Sequence, residues 1–207
     1  MKTKKHKVTN LGSEKMIHKI SNKITNVLFS DSERYPIEVY TYGIEIILSS
    51  LLGCSSVIII SILFGNIFEG IIYITVLSLI RIFAGGYHAD TYLKCNIITV
   101  TSFCISLMIH KFYVNRLIVY TPAIMIAFAL FVFTILCFYA PVDNENKPVA
   151  ENDKIKFKRI SLIIAFFIFL ISPVVYYLFG YYQVLIGVSA VLVESISIIV
   201  SLLTKER

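Results

Sequence analysis

The sequence predicts an all-α fold: a polytopic membrane helical bundle of six transmembrane helices, preceded by an N-terminal amphipathic helix at the interface. Three observations predict it. Of 207 residues, 57% are hydrophobic and only 15% are charged, where a soluble domain carries about 25% charged residues; mean hydropathy is +0.79. Apolar segments of roughly spanning length recur along the chain, separated by turn signals. Lysine and arginine are concentrated in alternate connections.

Residues 1–38 are expected to form the first part, a basic tail and the interfacial helix, and residues 39–207 a single transmembrane domain. The tail carries Lys2, Lys4, Lys5 and Lys7 and reads as a solvated end. It has no apolar core next to a small-residue cleavage site, so no cleavable signal peptide is expected. Over residues 13–30, Met16, Ile17, Ile20, Ile24, Val27 and Leu28 fall on one helical stripe, with Lys15, Lys19 and Lys23 beside it. Ser13 is the expected N-cap. A basic, amphipathic helix suits an anionic membrane surface; packing on the protein's own bundle is the alternative use of the same stripe. Pro36 breaks the chain before the first span.

Six apolar segments follow, at 39–64, 67–84, 96–110, 117–140, 160–179 and 181–203. A span needs about 20 apolar residues. The third is short, and reaches spanning length only if Tyr92 and Leu93 extend it, which places Cys95 near the start of that helix. Gly65-Asn66, Gly85-Gly86, Asn115, Pro141 to Pro148 and Gly180 punctuate the segments. With the N-terminus inside, seventeen of the nineteen Lys and Arg residues fall on inner segments, and only Lys111 and Arg116 fall outside. Both termini are therefore expected in the cytoplasm, and residues 81–95 at the cytoplasmic face.

Four scattered cysteines, with no Cys-x-x-Cys and no Cys/His ligand spacing, argue against a disulfide framework or a zinc site; no metal and no cofactor are expected. The densest cluster of reactive side chains is 81–95: Arg81, the Gly85-Gly86 pair, His88, Asp90 and Cys95. His88 and Cys95, seven apart, would lie about 10.5 Å apart along one straight helix, whereas a nucleophile and its base need about 2.6–3.2 Å. The backbone must therefore fold back between them, and the glycine pair frees it to do so. This puts His88 on the bend and Cys95 in the first turns of the next helix, where a helix N-terminus and an imidazolium would favour thiolate and burial in lipid would oppose it. The competing reading of a lone membrane cysteine is a small apolar filler, and Cys54, Cys104 and Cys137 read that way; a histidine beside glycines can be an ordinary interfacial residue.

The run Arg81-x-x-x-Gly85-Gly86-x-His88, followed seven residues later by Cys95, resembles the signature of the accessory gene regulator protein B family. These are integral-membrane cysteine peptidases of Gram-positive bacteria that process the precursor of a cyclic quorum-sensing peptide. The basic amphipathic start and a later loop, Ala140-Pro141-Val142 to Lys147-Pro148, extend the resemblance over most of the chain. It implies that Cys95 and His88 are the catalytic pair and that Arg81 and Gly86 belong to the supporting pattern. It also implies an amphipathic precursor peptide of the AgrD type as partner, a thioester on Cys95, cyclisation to a thiolactone or lactone, and a homodimer in the cell membrane. Membrane lipid is the other expected partner, and no nucleic acid is.

Charges at membrane depth need a reason. Glu45, about two turns into the first span, could pair with Arg81, orient His88 or stay protonated. Asp90 or Glu45 could orient the imidazole, and a dyad without a third member is also open. Arg81 could bind a substrate carboxylate or cap the second helix. Glu69 reads as solvated at the outer turn, Glu194 as a helix–helix contact, and the loop 141–159 as a solvated connection that could help seat the substrate. The alternative function is a small transporter or exporter using Glu45, Glu69 and Glu194 as a relay; the sequence shows neither a nucleotide-binding loop nor an inverted repeat in its favour.

Overall fold

The structure is a computed structural model, and residues 12–29, 36–87, 89, 91–116, 121–142, 150–180 and 182–205 are described. Among them the fold is all helical, without a strand. The helices are α1 (Gly12–Phe29), α2 (Ile37–Leu63), α3 (Ile67–Ala84), α4 (Tyr92–Arg116), α5 (Thr121–Tyr139), α6 (Glu151–Phe179) and α7 (Ile186–Lys205), with a 3₁₀ turn over Tyr182–Leu185 before α7.

By length and composition, five segments could cross a membrane: Ile37–Leu63, Ile67–Ala84, Tyr92–Phe112, Glu151–Phe179 and Tyr182–Thr204. Ala123–Tyr139 is a shorter apolar helix, so the expected six spans hold as an approximate count. Three boundaries differ from expectation. α4 begins at Tyr92, which supplies the length that the third segment lacked. α6 begins at Glu151 rather than near residue 160; Lys154, Lys156, Lys158 and Arg159 therefore stand on its first turns, and Lys154 pairs with Glu151 at 2.7 Å. α1 is described from Gly12, one residue before the expected start at Ser13.

The chain divides into two compact units. The first is drawn from residues 1–56 and 89–100. In it, α1 turns Ile17, Ser21 and Thr25 inward, at a spacing of four, while Met16, Ile20, Val27 and Leu28 remain exposed. The uncovered stripe is apolar with Lys15, Lys19 and Lys23 exposed beside it, the arrangement an interfacial helix requires. Phe29 stacks on Tyr40 at 4.4 Å and closes the corner between α1 and α2.

The second unit comprises residues 57–88 and 101–207. α3 packs most extensively on α7, with α5 and α6 closing against them. Tyr73, Val76, Leu77, Ile80 and Ala84 form one buried stripe on α3, and Val188, Val191, Ser195 and Ile198 form its counterpart on α7. Lipid tails are as apolar as leucine, so helices associate in a membrane by close packing and interhelical hydrogen bonds rather than by expulsion of water. Gly187 is such a contact: a methyl group there would touch Val76 and Ile72 at 3.5 and 3.6 Å. The Tyr73 hydroxyl donates to Ser102 at 2.9 Å, a bond worth on average about 0.6 kcal/mol in a bilayer. Glu69 corrects the sequence expectation. It is 6% exposed, not solvated, in the first turn of α3, where the helix N-terminus favours a negative charge.

Candidate active site

The signature divides between the end of α3 and the start of α4. In the second unit, α3 stops where Gly85 takes φ 71° and its N–H closes on the Arg81 carbonyl at 3.2 Å. The left-handed conformation suits glycine because it carries no Cβ. Beyond the turn the chain is extended, and three contacts hold it. The Val142 N–H donates to the Ala84 carbonyl at 3.0 Å. Arg81 Nη2 donates to the Tyr87 carbonyl at 2.5 Å. The Tyr87 N–H donates to Ser197 Oγ at 2.9 Å. Arg81 thus ties down the segment that leaves its own helix.

Both glycines are required by close approach. A Cβ on Gly85 would stand 2.6 Å from the Val142 carbonyl oxygen. Gly86 has φ 155°, and a Cβ on it would collide with a Glu194 carboxylate oxygen and lie 2.8 Å from Ser197 Oγ. Glu194 is 1% exposed, and neither of its oxygens has a hydrogen-bond partner among the described residues.

In the first unit, Thr91 starts α4: its hydroxyl accepts the Lys94 N–H at 3.2 Å, and its carbonyl accepts the Cys95 N–H at 3.1 Å. Cys95 is therefore in the first turn, a free and half-buried thiol, as the spacing requires. One face of this turn is tied down. Tyr92 donates its hydroxyl proton to Glu45 Oε2 at 2.9 Å. The other oxygen, Oε1, lies 2.5 Å from His18 Nδ1, and Asn22 and Thr41 continue the network. A methyl group at Gly53 would stand 2.8 Å from Asn96 Oδ1, which marks how closely α2 approaches the residue after Cys95.

His88 and Asp90 lie outside the described residues. Of the remaining expected site residues, the structure places Gly86 on the turn after α3 and Arg81 in the last turn of that helix, and Glu45 beside the start of α4 with Cys95. Glu45 is engaged by His18 and Tyr92. Sequence reasoning missed Ser197 and Val142, and it gave Glu194 a helix–helix contact or, in the transporter alternative, a place in a relay. A charge at membrane depth three residues from Ser197, on one helical face, was the available signal. His18 carried a weaker one: it lies on the polar side of α1 with Ser21, Asn22 and Thr25.

The family model described as AgrB, Accessory gene regulator B, matches residues 13–199. The chain belongs to the accessory gene regulator B family. Two proteins of Clostridium perfringens, both named for their likeness to AgrB, are similar to it. The one from strain SM101 / Type A is 30% identical over 171 residues, covering 78% of each chain. The second, from strain 13 / Type A, is 29% identical over 171 residues with the same coverage. No solved structure matches. Membership in the AgrB family supports a part in accessory gene regulation, hence in quorum sensing, and is consistent with a peptidase-like role. With the apolar helices, it marks a multi-pass membrane protein.

Proposed function

We propose that this AgrB-family chain is a membrane-embedded cysteine endopeptidase that removes the C-terminal tail of an autoinducing-peptide precursor and promotes its cyclisation. One observation carries the reading beyond family membership: Cys95 opens a new helix immediately after a glycine turn that three hydrogen bonds hold in place. A nucleophile and a base seven positions apart need such a break.

In the proposed mechanism, His88 accepts the proton of the Cys95 thiol. The thiolate attacks a peptide carbonyl of the precursor. The C–N bond breaks, the amine of the tail leaves with the proton from the imidazolium, and the N-terminal part stays on Cys95 as a thioester. A cysteine thiolate within that part then attacks the thioester carbonyl and displaces the Cys95 thiolate, giving a macrocyclic thiolactone; a serine would give a lactone. Exchange between thioesters is nearly isoenergetic. Forming one from a peptide is uphill, so loss of the tail pulls the sequence forward. Water competes with the internal thiol; exclusion of water favours ring closure, and holding the thiol near the carbonyl raises its effective concentration.

The other residues take supporting roles. Gly86 admits Glu194, Arg81 holds the turn through the Tyr87 carbonyl, and Glu45 steadies the first turn of α4 through Tyr92. Asp90 remains a candidate for orienting the imidazole. The Lys/Arg bias favours cytoplasmic termini and a cytoplasmic site, where reducing conditions keep a thiol free. The exposed stripe of α1 and the basic first turns of α6 are docking surfaces for lipid and for an amphipathic precursor, and a homodimer is part of the same proposal.

The test is precursor cleavage in vesicles by Cys95→Ala, Cys95→Ser and His88→Ala. The first should be inactive and the second nearly so, and the third should lose activity at unchanged protein level. Wild-type cleavage by either Cys95 variant would refute the nucleophile, and full activity in His88→Ala would remove the base.

A further inference from the structure

We propose that His18, on the interfacial helix α1, is a positioning residue for the nucleophile: through Glu45 and Tyr92 it holds the first turn of α4, and with it the thiol of Cys95. The inference rests on the reading of Cys95 as the nucleophile of a peptidase, and it gives α1 a role beyond docking.

α1 meets α2 through a polar face. His18 Nδ1 lies 2.5 Å from Glu45 Oε1, the Thr41 hydroxyl donates to Asn22 Oδ1 at 3.2 Å, and Phe29 stacks on Tyr40, so the two helices run antiparallel in register. Ser21 and Thr25 are buried, while the apolar Met16, Ile20, Val27 and Leu28 stay exposed. A helix that only lay on lipid would need no such bonds to the bundle. Between membrane helices, close packing and side-chain hydrogen bonds are what fix which residues meet. The bonding pattern also assigns the ring proton. Asn22 Nδ2 donates to His18 Nε2 at 3.1 Å, so Nε2 is an acceptor and the proton is on Nδ1. It is this N–H that Glu45 accepts.

Glu45 is the junction. Its side chain is 12% exposed, and a carboxylate at membrane depth needs partners. It has one on each oxygen: Oε1 faces α1 through His18, and Oε2 accepts the Tyr92 hydroxyl of α4 at 2.9 Å. Tyr92 is the first residue of α4, and Cys95 lies one turn further on, about 4.5 Å along the axis and on a neighbouring position of the helix surface. The same turn closes through Thr91, which accepts the Lys94 and Cys95 N–H groups. Helix ends open more readily than helix middles, so a pinned Tyr92 sets the rotation of this turn and the direction of the Cys95 side chain. Without His18, Oε1 loses its donor, the carboxylate is free to rotate toward solvent, and Oε2 leaves Tyr92. A small displacement of the sulfur is enough to matter, since a misplacement of about 1 Å can cost about 100-fold in rate.

The experiment measures kcat and KM of precursor cleavage, with the single-turnover rate of tail release, for the full-length protein in phosphatidylglycerol vesicles. It is run on wild type, His18→Ala, His18→Asn, Tyr92→Phe, the His18→Ala/Tyr92→Phe double variant and Cys95→Ala. A side-chain hydrogen bond between helices in a bilayer is worth a factor of about 3 to 20. We expect His18→Ala to lower kcat and the single-turnover rate by about three- to tenfold with little change in KM. His18→Asn should recover part of the loss, because the asparagine amide N–H stands where the Nδ1–H stood. His18→Ala should add little to the kcat loss of Tyr92→Phe, since both act through Glu45. A rise in KM at unchanged kcat overturns the assignment and leaves α1 a docking helix only. Full additivity with Tyr92→Phe, or a His18→Asn variant no better than His18→Ala, overturns it as well. If Cys95→Ala cleaves at the wild-type rate, the peptidase reading falls and the role of His18 with it. If Cys95→Ala is inactive and His18→Ala keeps the wild-type kcat, only the role of His18 falls. Helical circular dichroism checks folding; should His18→Ala not fold, His18→Leu, which keeps the volume without the donor, is read in its place, and wild-type kcat there refutes the proposal.

Discussion

Gly86→Ala is the substitution on which the geometry of the turn bears most directly. Gly86 holds φ 155°, a conformation side chains rarely adopt, and the added methyl group would overlap a Glu194 oxygen and stand 2.8 Å from Ser197 Oγ. The backbone strain alone is of order 1–3 kcal/mol, and forcing a methyl group into an occupied site costs about 1–3 kcal/mol more. The turn can relieve both by moving, and it then surrenders the hydrogen bond from Tyr87 N–H to Ser197. If about 2 kcal/mol of this separates the relaxed turn from the productive one, the productive population falls by about 30-fold. The core stripes of α3 and α7 do not include residue 86, so the helices should still form. The assay is precursor cleavage in vesicles, read by mass spectrometry as the rate of tail release, with expression and helical content measured in parallel. Gly43→Ala is the control. Gly43 is in α2 with open space around it, and alanine there should leave cleavage unchanged and be neutral to slightly stabilising. Gly86→Ala cleaving at the wild-type rate would refute the claim that the turn is held against Glu194 and Ser197.

Three further outcomes follow from the same geometry. Arg81→Ala leaves the Tyr87 carbonyl without its donor, at about 1–3 kcal/mol; kcat/KM should fall at least tenfold, and Arg81→Lys should restore only part of it. Tyr92→Phe removes the bond from its hydroxyl to Glu45; it should lower stability by about 1–3 kcal/mol in detergent denaturation, and combining it with Glu45→Gln should cost less than the sum of the two. Gly53→Ala brings a methyl group to 2.8 Å from Asn96 Oδ1, the end of a side chain that can rotate away; the expected cost is under about 1.5 kcal/mol, and a larger loss of cleavage would show that Asn96 cannot move.

The fold class was legible because hydropathy reports the solvent of each helix and little else. Turn residues placed most boundaries: Gly65, Gly85 and Gly180 each take positive φ beside a helix end. The start of α6 was not legible, because Lys154, Lys156, Lys158 and Arg159 look like a solvated loop while being good helix formers on the first turns of a long helix. Glu69 was misread because proximity to a turn was taken for exposure. In the signature, the break in the helix at Gly85 could be read from the sequence, since a helix cannot bring positions seven apart into contact. The partners of the turn could not. Ser197 and Glu194 are more than a hundred residues from Gly86 in sequence, and only the packing of α7 on α3 brings them to it. The same holds for His18 and Glu45, which meet across the α1–α2 corner.

The central claim concerns the sulfur of Cys95, and its mass during turnover tests that claim most directly. Wild-type protein mixed with precursor, acid-quenched within a single turnover and digested, should carry the precursor's N-terminal part on the Cys95 peptide, discharged by neutral hydroxylamine and absent from Cys95→Ala. Release of the tail at the normal rate while Cys95 stays unmodified at every quench time would contradict it.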